Sequence, residues 1–216
     1  MNLEQARFNM IEQQIRPWDV LDGRVLDLLK WVRREQFVPP ASKSLAFVDT
    51  EIPLGHGASM WQPKIEARVL QALDIQAGDS VLEVGTGSGY LTALMAKLAG
   101  QVTSVEIQPE LHAIALRNLV AHHIENVTLQ VGDAAHSWGE ADYNVIVLTG
   151  SVPLVPVAYQ KQLKIGGRLF AVVGDAPAMQ AQLITRVAAE TFETKTLFET
   201  DVAPLRNAQQ PQRFVF

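Results

Sequence analysis

The sequence predicts an α/β fold, a mainly parallel twisted sheet with helices on both faces, preceded by an N-terminal helical addition. Three observations carry that expectation. Apolar, β-prone runs at 81–84, 102–107, 127–131, 145–148 and 168–173 alternate with segments of helical periodicity, the pattern of right-handed βαβ units. The first of these runs stops at Gly85, Gly87 and Gly89, which interrupt both strand and helix, and the chain then enters a helical pattern at Tyr90. Finally, 216 residues of 48% apolar content are enough for one large core without disulfides, which the absence of cysteine forbids.

Residues 3–16 place Phe8, Ile11 and Ile15 at helical spacing and end at Pro17, and a second helix fits from Asp22 as cap to Val32, before Pro39 and Pro40. This pair reads as a cover on the main domain, with Arg33 and Arg34 at a solvated helix end. Residues 41–63 show little periodicity, hold His56, Ser59, Trp61 and Gln62 close together, and read as one long irregular loop with a binding role. Pro63 suits the first position of a helix running to Leu73, and 77–79 is a turn into the strand at 81–84.

Helices follow at 90–98 and 109–121, the latter opened by Pro109, and a short one near 155–162 precedes a turn at Gly166 and Gly167. Beyond Val173 the pattern is open. Residues 182–188 fit either helix or strand, 194–202 alternate like a strand, and 213–216 fit an edge strand.

Strand, glycine turn and helix N-terminus make a Rossmann-like cradle for a small molecule. The spacing Gly85-x-Gly87-x-Gly89 differs from the dinucleotide fingerprint, no Gly-Lys-Ser/Thr follows as in a P-loop, and Ser88 lacks the flanks of a nucleophile elbow. NAD-dependent oxidation is therefore the weakest functional reading. No Lys or Arg occurs from 79 to 96, while Glu83 precedes the turn, which suits a ligand of positive charge better than a pyrophosphate. Glu106 lies about 20 residues beyond Gly85 at a strand end, where a carboxylate can accept from two ribose hydroxyls. Asp133 ends the next strand and could accept from the exocyclic amine of adenine. A cationic ligand with ribose and adenine is S-adenosylmethionine, which becomes S-adenosylhomocysteine on losing its methyl group. Its expected contacts are Glu83, Gly85, Thr86, Gly87, Ser88, Gly89, Glu106, Ile107, Gly132, Asp133 and Ala134.

The net charge of −5 gives no global field for nucleic acid, and no apolar run approaches the ~18 residues of a membrane span. A cytoplasmic protein with neither nucleic acid nor membrane as partner is expected, its oligomeric state open. No metal is expected either. His122 and His123 are adjacent and diverge by about 100° on a helix, and His112 and His136 are isolated. Trp18, Trp31 and Trp138 read as packing residues.

Residues 10–15 (MIEQQI), 37–39 (FVP), 52–57 (IPLGHG), 62–63 (QP), 81–90 (VLEVGTGSGY) and 163–169 (LKIGGRL) resemble the protein-L-isoaspartate O-methyltransferase family. The resemblance implies a class I methyltransferase fold, in one compact unit. Residues 1–76 would be the helical addition with the acceptor-site loop, and 77–216 the S-adenosylmethionine-binding domain. It also implies methylation of the free carboxylate of isoaspartyl residues in damaged peptides or proteins, with Ser59, His56 and Trp61 at the acceptor. Where the family reads Gly-Gln-Thr-Ile-Ser-Gln-Pro, this chain reads Gly57-Ala58-Ser59-Met60-Trp61-Gln62-Pro63, so Trp61 replaces a serine near the acceptor. Ala134-Ala135 and Thr149-Gly150-Ser151-Val152-Pro153 also depart from the family pattern. The alternatives are a relative that methylates another acceptor, such as a small carboxylate, and a non-catalytic S-adenosylmethionine-binding protein.

Overall fold

The computed structural model describes residues 2–211. Its centre is a seven-stranded sheet of order β5-β4-β3-β6-β7-β8-β9. The strands are β3 (Ser80–Val84), β4 (Gln101–Glu106), β5 (Val127–Val131), β6 (Tyr143–Val152), β7 (Leu163–Asp175), β8 (Ala178–Ala188) and β9 (Thr191–Thr200). The first five are parallel, and β8 and β9 return antiparallel along one edge. The last two assignments settle most of what the periodicity left open. Residues 182–188 are strand, and the alternating stretch starts earlier, at Thr191. The expected strand at 213–216 lies outside the described residues. The turn at Gly166 and Gly167 sits inside β7, as an irregularity between the pairs Tyr143↔Leu163 and Val145↔Arg168.

Because β3 is bonded to β4 on one side and β6 on the other, the chain reverses its direction of travel across the sheet at β3. A crevice opens at such a point, beyond the carboxyl ends of the strands. Alternation along β3 sends Val81 into the larger apolar cluster, and Leu82 and Val84 into the one on the other face. The larger cluster holds α3 (Pro63–Leu73), α4 (Tyr90–Leu98) and the N-terminal helices; the other holds Tyr159 of α6 (Val157–Lys161). The remaining crossover helix is α5 (Pro109–Ala121).

The helical addition begins with α1 (Leu3–Met10), capped by Asn2, whose side chain accepts from the backbone of Glu4 and Gln5. It does not continue as one α-helix to residue 16. A π-helical turn, Ile11–Ile15, lets the neighbours Met10 and Ile11 and then Ile15 all face the core, and a short 3-10 turn holds Pro17. Helix α2 (Gly23–Trp31), capped by Asp22, buries Val25, Leu26, Leu28 and Leu29. That face leaves Trp31 outside at 81% exposure, contrary to the packing role expected of it.

Residues 41–63 are also more ordered than expected. A 3-10 segment, Pro40–Leu45, leads to an antiparallel hairpin of β1 (Ile52–Gly55) and β2 (Ala58–Met60). His56 and Gly57 form its tip, both at positive φ (54° and 75°), as a two-residue hairpin turn requires.

Candidate functional site

A cleft with a cavity of about 150 Å³ opens at the carboxyl end of β3. Its inner wall is the turn from Gly85 to Gly89. At Gly85 (φ +97°) a Cβ would fall 2.1 Å from Thr149 Oγ1, so only a bare backbone fits, and Thr149 in turn donates toward the carbonyls of Val84 and Gly85. The Glu106 carboxylate organises this turn. Its Oε2 accepts from Gly87 N–H (2.9 Å) and its Oε1 from Gln108 N–H (3.0 Å). Two backbone donors fix the carboxylate and leave it further lone pairs to offer a ligand.

Glu83 is fully buried beneath the turn, and its Oε2 accepts from the hydroxyls of Thr92 and Ser104. Its Oε1 has no partner, although the residue lines the cleft. Burial, opposed by the two hydroxyl donors and reinforced by the charge of Glu106, pushes its pKa up to about 8. A group so placed can accept from a cation that enters the cleft, and would ionise as it does so.

Thr86 and Ser88 also line the cleft; the Thr86 hydroxyl shares a 2.6 Å hydrogen bond with Ser104, and the Ser88 carbonyl accepts from Asn118. Gly89 lines neither this cleft nor the smaller cavity beside it. It caps α4 at φ +81° and lies against Ala115. A second, smaller cavity adjoins the first, where Gly132, Asp133 and Ala134 meet Ile107 and Gly85. Asp133 Oδ1 accepts from Ala135 N–H (3.0 Å) and Oδ2 from the Asn207 amide (2.7 Å).

The hairpin forms the opposite wall. His56, Ser59 and Trp61 all line the cleft. Trp61 is 7% exposed, edge-packed on Phe170 at 6.0 Å, and its carbonyl accepts from Arg34 Nη2 at 2.6 Å. Arg34 is therefore no solvated helix end. It is 1% exposed and ion-paired with Glu66 of α3, because the turn after α2 carries it inward beneath Tyr90, 5.1 Å from the ring centroid. Burial pushes Glu66 up to about 7 against the pull of Arg34.

Several contributors lie outside the sequence-based set. Glu51, Glu66 and Tyr90 line the cleft, as does a C-terminal strap of residues 203–206. The strap crosses the sheet end through Ser151, which donates to Ala203 O (3.0 Å) and accepts from Leu205 N–H (2.8 Å). Gly150 allows this, since a Cβ there would meet Leu205 N at 2.7 Å. Arg206 Nη2 then donates to the His56 carbonyl, clasping strap to hairpin. Glu66 was hidden within a helical pattern, and nothing local marks the strap.

A parallel sheet reversing at β3, a bare turn below it and acidic side chains at successive strand ends are the architecture of the class I methyltransferases. A Plasmodium falciparum protein assigned to the β-aspartate methyltransferases and solved with S-adenosyl-L-homocysteine shares this fold, with a TM-score of 0.80 at 20% identity over 95% of this chain and 99% of its own. The description of the family Protein-L-isoaspartate(D-aspartate) O-methyltransferase matches residues 5–210, and the chain belongs to that family. A protein-L-isoaspartate O-methyltransferase of Anaeromyxobacter dehalogenans is 42% identical over 176 residues, 81% of this chain and 84% of that protein. Protein-L-isoaspartate O-methyltransferase 1 of Rhodopseudomonas palustris is 37% identical over 201 residues, 92% and 82% of the two chains.

Proposed function

We propose that this protein transfers a methyl group from S-adenosylmethionine to the free carboxylate of L-isoaspartyl residues in peptides or proteins. The observation that carries the reading is one continuous cleft, with the Gly85 turn, Glu83 and Glu106 on one wall and the hairpin bearing Ser59 and Trp61 on the other. Family membership over residues 5–210 favours it above a different acceptor or a non-catalytic role.

The residues present fit the methyl donor. Glu83 offers a buried, unpartnered Oε1 to a positive charge, Glu106 offers fixed carboxylate oxygens to ribose hydroxyls, and the bare backbone at Gly85 allows close approach. Asp133, Gly132, Ala134 and Ile107 form the adenine end. When bound, the donor supplies an electrophilic methyl carbon on a sulfonium. The acceptor carboxylate is already ionised at neutral pH, so the chain needs no general base. Its task is to hold oxygen and methyl carbon in line and to keep water from the anion. Ser59 and the backbone of the tip at His56 orient the acceptor, while buried Trp61 closes the inner end. In this reading residues 1–76 supply the acceptor wall and 77–216 the donor wall. Among the described residues no helix is long and apolar enough to cross a membrane.

Labelled S-adenosylmethionine offered with an isoaspartyl peptide and its aspartyl twin tests the reading. A base-labile methyl ester on the isoaspartyl peptide alone is expected. Binding of S-adenosylhomocysteine without any such ester would overturn it.

A further inference from the structure

The charges around the cleft pose a problem for an anionic acceptor. Glu51, Glu66 and Glu106 line it together with Glu83, which burial keeps mostly protonated at neutral pH in the free protein, and Arg206 is the only Lys or Arg that does, among the described residues. Glu66 is matched by Arg34, which is itself buried behind the wall, and Glu106 is held by backbone donors. Glu51 stands near a second acid, Asp201, and half-burial together with that charge raises its pKa. A carboxylate entering this field without a cation to receive it is repelled.

Arg206 is placed to be that cation. It is exposed to solvent at the mouth, so an incoming chain can reach it, yet it lines both the main cleft and the smaller cavity beside it. Its Nη2 donates to the His56 carbonyl at the tip of the acceptor hairpin, and its guanidinium lies 3.8 Å from where a Cβ on Gly57 would be. That bond fixes the group in place while using one of its five N–H donors. From the proposed function and this placement, we infer that Arg206 binds the carboxylate of the methyl acceptor and sets the preference for an anionic over a neutral acceptor. One carboxylate oxygen accepts from Arg206, and the other forms the new O–C bond as the methyl–sulfur bond breaks and its electron pair returns to sulfur. The donor's own methionyl carboxylate has the same chemistry, so the test must separate the two.

The test compares wild type, Arg206→Gln and Arg206→Lys. Calorimetry measures S-adenosylhomocysteine binding, then binding to the saturated protein of an isoaspartyl peptide and of its twin with the free carboxylate replaced by a carboxamide. Wild type should prefer the carboxylate by about tenfold or more. Arg206→Gln should bring that preference to within about twofold with S-adenosylhomocysteine affinity unchanged, and Arg206→Lys should retain part of it. A preference that survives in Arg206→Gln overturns the inference. So does an equal weakening of both peptides, which would make Arg206 a clasp only, or a matching loss of S-adenosylhomocysteine affinity, which would assign it to the donor's carboxylate. Ester formation is scored separately. Wild type that prefers the carboxylate peptide but never methylates it sinks the isoaspartyl reading and supports Arg206 as an anion site. An active wild type whose peptide KM is unchanged in Arg206→Gln sinks the inference alone.

Discussion

The two walls of the cleft are built on different principles. The donor wall consists of strand ends and the turn they support, and its carboxylates are fixed by near neighbours: Glu83 by Thr92 and Ser104, Glu106 by Gly87 and Gln108. The acceptor wall is a hairpin of four and three residues clasped to a strap 150 positions away in sequence. A rigid sheet end suits a ligand that never changes, and a short hairpin with a tied strap suits the part that decides which acceptor is taken. Under the proposed function, the difference separates donor binding from acceptor choice.

That separation can be broken in three places. Truncating the anchor of the acceptor wall should have the largest effect: Trp61→Ala removes a buried ring packed edge-on against Phe170 and should destabilise the protein by about 3 kcal/mol, read by denaturant unfolding. If the walls are independent, the folded variant keeps its S-adenosylhomocysteine affinity at low temperature; a parallel loss would couple them. On the donor wall, Glu106→Ala strips two backbone N–H groups of their acceptor and should weaken S-adenosylhomocysteine by about 2 kcal/mol or more, measured by calorimetry. An unchanged affinity would remove Glu106 from the donor site.

The smallest effect concerns protons. Burial holds Glu83 near a pKa of about 8, so at pH 7 it is mostly protonated in the free protein, and a cation seated against it favours the carboxylate. S-Adenosylhomocysteine, through its ammonium group, should therefore bind about tenfold more tightly at pH 8 than at pH 6 and release a proton on binding. Titrations in buffers of different ionisation enthalpy measure that release, and Glu83→Gln should abolish it. The same raised pKa has the opposite consequence for stability. The folded state holds a proton that the unfolded chain has lost, so this contribution to stability is complete at low pH and declines as pH rises from about 4.5 to about 8.

How much of this was legible in the sequence follows from the same contrast. The glycine turn, Glu83, Glu106 and Asp133 could be read because strand, turn and helix each leave a local periodic trace and place their ends at fixed intervals. The hairpin left none, since strands as short as Ile52–Gly55 and Ala58–Met60 carry too few alternations to stand out from loop. Arg34 and Glu66 are 32 residues apart, and no local pattern reveals that a turn and a helix will bring them together. Residues 182–188 were ambiguous because their mixed burial, with Ile184 inside and Leu183 half-exposed, lacks the clean alternation of a strand with one wet face.

The strap at 203–206 is held to the sheet end by peptide groups, through the N–H and C=O of Ser151, and to the hairpin by the Arg206 side chain on the carbonyl of His56. Main-chain bonds survive almost any side-chain replacement. A scan of single alanines would pass over Ala203 and Pro204 without effect and miss a segment that forms one rim of the cleft. Apart from the clasp at Arg206, its importance would surface only with an insertion, a deletion or a bulky residue at Gly150, changes that move the backbone itself.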